Sequence, residues 1–97
     1  MIRHVVLFKF KPGIGWDDPR ALAAEGTAAK VGAEVPELHE WRYGRNVSPR
    51  KVAYDFLVEG LLDDMAAVDR YLVHPFHQDA IRQWQEISDW VIADVEV

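Results

Sequence analysis

The run Tyr71-Leu72-Val73-His74-Pro75-Phe76-His77 places a phenol and two imidazoles around one proline. Phenols donate hydrogen bonds, and imidazoles can change protonation state near neutral pH. Pro75 disfavours a helical conformation at His74 and suits a first helical position, so one helix is predicted to stop near Val73 and another to begin. His77 then falls in the first turn of the new helix. His77, Ala80, Ile81 and Trp84 stand at i, i+3, i+4 and i+7, a stripe that faces the core. Burial disfavours the imidazolium, and so does the partial positive charge of a helix N-terminus. His77 is therefore expected to be neutral near pH 7 and able to accept a proton. Tyr71 sits at the flank of the preceding helix's apolar stripe. As an acid/base pair, His77 would remove a proton alpha to a carbonyl while the Tyr71 hydroxyl bonds the developing enolate oxygen. The same residues also fit a structural role, with Tyr71 bonded to a backbone carbonyl and His77 capping its helix or satisfying a core neighbour.

Other residues are weaker candidates. His4 shares a strand face with Ile2, Val6 and Phe8, and reads either as a hydrogen-bonded core histidine or as a group that orients a ligand. Phe76 and Trp84 would line a pocket beside His77, or fill it. Trp16, Trp41, Trp84 and Trp90 are aromatic mass for the core, an interface or such a pocket. A metal site could draw on His74 and His77 with His4 or His39. Two histidines three apart across a proline do not present the paired face of an i, i+4 zinc motif, and no acidic residue accompanies them at recognised spacing. No metal and no cofactor is expected. His74 is most simply the residue before a proline at a helix break, and Asp63-Asp64 a solvated helix start.

The elements that must position these groups follow from periodicity. Ile2 to Lys11 alternates as a first strand, with Ile2, His4, Val6, Phe8 and Phe10 on one face. Pro12 to Gly15 is a turn. Asp18 is a candidate N-cap with Pro19 at the first helical position, and an Ala-rich helix is expected over Ala21 to Val35. Pro36 ends it, and Leu38 to Val47 reads as a second strand. A Ser-Pro turn within Asn46 to Arg50 leads to a third strand through Val52, Tyr54, Phe56 and Val58 to Glu59, predicting a hairpin. Leu61, Met65, Val68 and Leu72 recur at helical spacing, giving a helix from about Asp63 to Val73. A third helix covers Pro75 to Ile87, and Trp90 to Val97 forms a fourth strand. The order β-α-β-β-α-α-β is an α+β, ferredoxin-like split β-α-β arrangement with a four-stranded antiparallel sheet and helices on one face. The other face stays apolar, with Val5, Leu7, Trp41, Tyr43, Leu57, Val91, Val95 and Val97 as its expected members. A second copy is the expected cover, so a homodimer is predicted.

Bulk properties bound the function classes. The chain has 97 residues, 49% hydrophobic and 28% charged, which is one domain with no room for a second. A formal charge of −5 argues against nucleic acid or an anionic membrane as partner, since both reward clustered Lys and Arg. Without cysteine there is no disulfide, no thiolate catalysis and no Cys-ligated metal. The apolar run Val5 to Phe8 is too short for a membrane span and unlike a secretory signal. A cytoplasmic protein acting on small molecules or on other proteins is the expectation.

The residues Ile2 to Lys11, Val35-Pro36-Glu37-Leu38, Gly44 with Asn46 and Ser48, Tyr54-Asp55 and Tyr71 to His77 together resemble the stress-responsive α/β-barrel family of dimeric ferredoxin-like domains. The likeness spans nearly the whole chain. It implies two four-stranded sheets packed face to face between two chains, forming a dimeric α/β barrel. Most members of the family look like proteins of unknown role or stress-associated structural proteins, so the expectation is a binding or structural homodimer whose pocket holds an apolar or aromatic small molecule, or nothing. One plant member is a cofactor-free polyketide cyclase. By that likeness His77 matches a general base, Tyr71 an assisting tyrosine and His4 a pocket histidine. Phe76 is large where the cyclase has a small residue, and the Ala-rich first helix offers different pocket-lining groups.

Overall fold

A computed structural model describes all 97 residues, Met1–Val97. Strand β1 (Ile2–Phe10) leads through helix α1 (Pro19–Glu34) to strands β2 (Glu40–Arg45) and β3 (Phe56–Leu62). Helices α2 (Met65–Val73) and α3 (Pro75–Ile87) then precede strand β4 (Ser88–Glu96). The expected order and fold class are the observed ones: a four-stranded antiparallel sheet, β2-β3-β1-β4, with the helices on one face. No helix is long and apolar enough to cross a membrane.

The helix ends follow local chemistry. The Asp18 carboxylate accepts from the Arg20 amide at 2.9 Å, with Pro19 opening α1. Asp64 accepts from the Ala67 amide at 2.8 Å and starts α2. Small residues make the buried stripe of α1, with Ala21, Ala24 and Ala28 ahead of Val31, so this helix packs close to the sheet. Trp41 wedges beside it. Its indole N–H donates to the Ala28 carbonyl at 2.8 Å, and its side chain lies over Gly32 and Gly60, where an added Cβ would come within 2.5 Å of Trp41 and 2.6 Å of Leu38 respectively.

Two expectations are corrected. The third strand does not run from Val52 to Glu59. Asn46 to Asp55 is a loop closed by an Asn46 turn onto Ser48, and Val52 is exposed within it. The Asp55 carboxylate takes the Phe10 amide at the end of β1, and the ladder proper begins at Phe56. It then continues past Glu59 through Gly60, whose lack of a side chain makes room for Leu38 and Trp41. Trp41 and Tyr43 also lie on the helix side rather than the open face. They pair with Gly60 and Val58, whose neighbours Phe56, Val58 and Leu62 are core residues. By the same pleat, Val5, Leu7, Leu57, Leu61, Val91 and Val95 point away from the helices. Leu61 was not expected there.

The junction of α2 and α3 is organised by what proline lacks. In an unbroken helix the Tyr71 carbonyl would accept from residue 75, but Pro75 has no N–H, and the His74 amide takes it instead at 3.2 Å. The Leu72 carbonyl would accept from Phe76. That amide is diverted to the His74 ring, whose Nδ1 accepts it at 3.1 Å as the N-cap of α3. Leu72 O is thereby left for side chains.

Two predictions test this packing. Gly26→Ala, with open space at its Cβ, raises stability by up to about 1 kcal/mol, whereas Gly32→Ala, pressed on Trp41, lowers it by about 1 to 3 kcal/mol in urea unfolding. His74→Ala costs about 1 kcal/mol through the lost cap, and His74→Asn recovers most of it in the same measurement.

Candidate functional site

Between the helix layer and the sheet lies a cavity of about 160 Å³. Three elements run along it, with β4 antiparallel to β1. Strand β1 contributes His4, Val6 and Phe8, and β4 sets Ile92 and Trp90 beside Val6 and Phe8. Helix α3 contributes His77, then Ala80 and Ile81, then Trp84. One end is polar, the middle aliphatic and the far end aromatic. Leu72 and Ile92 are lining residues that remain partly exposed, so the cavity opens past them to solvent.

Tyr71 and His77 meet at the polar end, with ring centroids 4.0 Å apart. His77 is 8% exposed, and its Nδ1 lies 3.3 Å from the Leu72 carbonyl oxygen freed at the helix junction. A carbonyl can only accept, so Nδ1 carries the proton and Nε2 the lone pair in the neutral ring. Nε2 has no partner within the chain. The Gln78 side-chain amide donates to the same Leu72 oxygen at 2.7 Å, which holds that anchor in place. Burial pushes the His77 pKa below its ordinary value. The Leu72 bond opposes this shift, while the nearby His4 and His74 add to it. Tyr71 is 1% exposed, and its hydroxyl makes no hydrogen bond within the chain. Burial first, and the charge of Asp94 second, hold the phenol well above its ordinary range, so it stays a proton donor in hydrogen bonds.

His4 stands beside them, 2% exposed, with its ring edge on Tyr71 at a centroid distance of 5.2 Å. Its Nδ1–H donates to the Asp94 carboxylate, which can only accept. Asp94 escaped the sequence reading. It lies 90 residues from His4, and only the β1 and β4 register makes them partners. The one available signal was its place on the alternate face of the last strand with Trp90 and Ile92.

Trp84 lines the cavity as expected of a pocket residue, 2% exposed and stacked on Phe8 at 4.4 Å. Phe76 does not line it. It packs instead on the core formed by Ile2, Val31, Val35 and Leu62, because it points one helical step away from the His77 stripe. Trp41 and Trp90 line the wall, while Trp16 packs outside it against Phe10 and Phe56. The four histidines do not gather into a group that could hold a metal ion. His74 serves as the α3 cap, and His39 pairs with Asp63 at 2.7 Å on the surface.

The chain is similar to known proteins over its full length. An uncharacterized protein of Streptomyces coelicolor is 45% identical over 96 residues, 99% of each chain. A dimeric ferredoxin-like protein of unknown function from Thermobifida fusca superposes with a TM-score of 0.86 at 26% identity, over 99% of this chain and 90% of that one. A Dabb family protein with a ferredoxin-like fold from Mesorhizobium loti gives 0.81 at 26% identity, over 99% and 95%. Residues 2–97 match the family model of the stress responsive A/B barrel domain. With that match over nearly every residue, and the β-α-β-β-α-α-β fold in place, the chain belongs to the stress responsive A/B barrel domain family.

Proposed function

We propose that this protein is a homodimer whose cavity binds an apolar or aromatic small molecule. The observation that carries the binding reading is an apolar hollow with unsatisfied polar atoms at one end only. Tyr71 offers a donor and His77 Nε2 an acceptor, while the remaining walls are aliphatic and aromatic. Neither atom has a partner within the chain and neither is sealed from solvent, so a ligand that satisfies both is stabilised there over one that offers them no partner. The dimer reading rests on the open sheet face. Arg3 pairs there with Glu59 at 2.7 Å and Glu40 at 3.5 Å, so these charges satisfy one another and leave Val5, Leu7, Leu57, Val91 and Val95 as an apolar strip. A shallow depression of about 460 Å³ adjoins Leu7 and Leu57. Solved relatives from Thermobifida fusca and Bacteroides fragilis are dimers, which supports the same assembly here.

A second reading is favoured by one further observation, the free and neutral Nε2 of His77. In that reading the pocket performs cofactor-independent proton transfer. Nε2 takes a proton from the carbon alpha to a ligand carbonyl, and the Tyr71 O–H donates to the enolate oxygen that gains the charge. Ring closure of a polyketide-like chain would start from such an enolate.

Light scattering is expected to give twice the chain mass for the native protein and the single-chain mass for Val91→Glu, which places a charge on the strip; a native monomer would refute the assembly. Native mass spectrometry of the freshly purified dimer should reveal a bound small molecule, and repeated absence of one would count against the binding reading.

Proton transfer is checked by deuterium exchange at the methyl group of acetophenone in heavy water. His77→Ala is expected to slow the catalysed exchange by about a hundredfold or more while circular dichroism stays unchanged. Equal exchange in the variant would remove catalysis and leave binding untouched. Because the folded His77 pKa lies below the ordinary value of 6.5, the exchange rate should hold level as pH falls from 7 past 6.5. The unfolded chain binds the extra proton first in that window. The stability His77 contributes is therefore complete above about pH 6.5 and is lost as pH falls toward its depressed value, a slope in melting temperature that His77→Gln should reduce.

A further inference from the structure

The cavity's size and its gradient of polarity narrow the class of molecule it takes. From His4 to Phe8 along β1 is four residues, about 13 Å at strand rise, and from His77 to Trp84 along α3 is seven residues, about 10 Å at helical rise. Both walls change together from polar to aliphatic to aromatic along that length. The volume is about 160 Å³. An apolar protein cavity of roughly 150 Å³ accommodates benzene, so the enclosed part of this one holds a single ring, and anything larger must extend out past Leu72 and Ile92.

Charge narrows the class further. No Lys or Arg lines the cavity, and the nearest ionisable acid is Asp94, held on His4 at the polar end. A carboxylate ligand would lose its hydration without meeting a Lys or Arg, beside the Asp94 carboxylate of its own sign. The polar end also asks for two functions from one ligand group. The Tyr71 hydroxyl has a proton to give, and His77 Nε2 has a lone pair to be satisfied. A carbonyl or ether oxygen answers only the first. A hydroxyl answers both, accepting from Tyr71 and donating to His77.

Resting on the small-molecule reading of this pocket, the geometry points to an uncharged, single-ring phenol as its ligand class, with the hydroxyl between Tyr71 and His77 and the ring directed toward Phe8, Trp84 and Trp90. Substituents on the ring can pass out beside Leu72 and Ile92, where the cavity is open.

The test is a titration of the intact protein by calorimetry, with quenching of tryptophan fluorescence as a second readout, since Trp41, Trp84 and Trp90 all line the site. The probes are para-cresol, para-methylanisole, para-toluate and beta-naphthol. Para-cresol is expected to bind saturably. The other three, which respectively lack the donated proton, carry a negative charge and add a second ring, are expected to bind at least about tenfold more weakly, the factor that one lost hydrogen bond carries. Ile81→Trp, at the half-buried wall, should abolish para-cresol binding, with Ala28→Leu as the second blocking variant should the first fail to fold. Binding of para-toluate or beta-naphthol as tight as that of para-cresol overturns the class and leaves the pocket reading standing, as does equal binding of para-methylanisole. Para-cresol binding that survives both blocking substitutions places the site elsewhere and overturns the inference. Failure of all four probes also overturns it, and the ligand or empty pocket found by native mass spectrometry then decides separately whether the small-molecule reading survives.

Discussion

The missing amide hydrogen of Pro75 is the constraint on which the site depends. It ends one helix and starts another, and it redistributes three carbonyl and amide groups that an unbroken helix would have paired internally. His74 absorbs the change twice, giving its own amide to Tyr71 and its ring to Phe76. The Leu72 oxygen is the group set free, and it meets His77 Nδ1. A backbone irregularity has become the device that fixes a tautomer. The nitrogen that faces no protein partner is then the one that can bind a proton, and burial keeps it vacant near neutral pH.

That device needs a hollow to act on, and the side chains that line it come from all three helices and from the sheet. Alanines along α1 let that helix settle close to β2 and β3, with Trp41 wedged over two glycines as a fixed spacer. Helix α2 packs on β1 and β3 and α3 on β4, with the proline break between them. Phe8, Phe56 and Trp84 form the stacked block at the aromatic end, with Phe8 and Phe56 each within ring contact of Trp84. The polar end is held by Asp94, which orients His4 and adds its charge to the burial that keeps the Tyr71 phenol protonated. Two histidines, one bonded to a carbonyl and one to a carboxylate, therefore both donate through Nδ1. A neutral His77 beside an unpartnered phenol is an arrangement suited to uncharged ligands.

The opposite face of the sheet follows a separate logic. Its charges pair with one another across strands, and its aliphatic side chains lie together. Pleating makes the two faces independent, so a residue on the open side can serve assembly without touching the cavity. The edge strands show how closely this depends on register. In β2, Trp41 and Tyr43 face the helices while Arg42 lies on the open side, the reverse of what its apolar pattern alone suggests.

Local rules sufficed where one strong local preference governed the outcome. The alternation of Ile2 to Phe10, the Asp18-Pro19 start of α1, the proline break and the inward stripe from His77 to Trp84 were all legible, because each depends on neighbours within a turn or a strand. The bounds of β3 and the facing of β2 were not, since Asp55 is held by the Phe10 amide of a distant strand and Gly60 becomes a notch for Trp41 only once α1 is packed. Phe76 looked like a pocket residue by adjacency to His77, yet one helical step turned it into the core. The amino-acid sequence alone determined that a neutral imidazole would point inward near a phenol. Tertiary structure alone decided what surrounds them: the partnership of His4 with Asp94 from the far end of the chain, the aromatic closure by Trp90 and the volume left open. Those depend on strand register and interlayer spacing, which are properties of contacts between distant segments and are encoded in no single stretch of sequence.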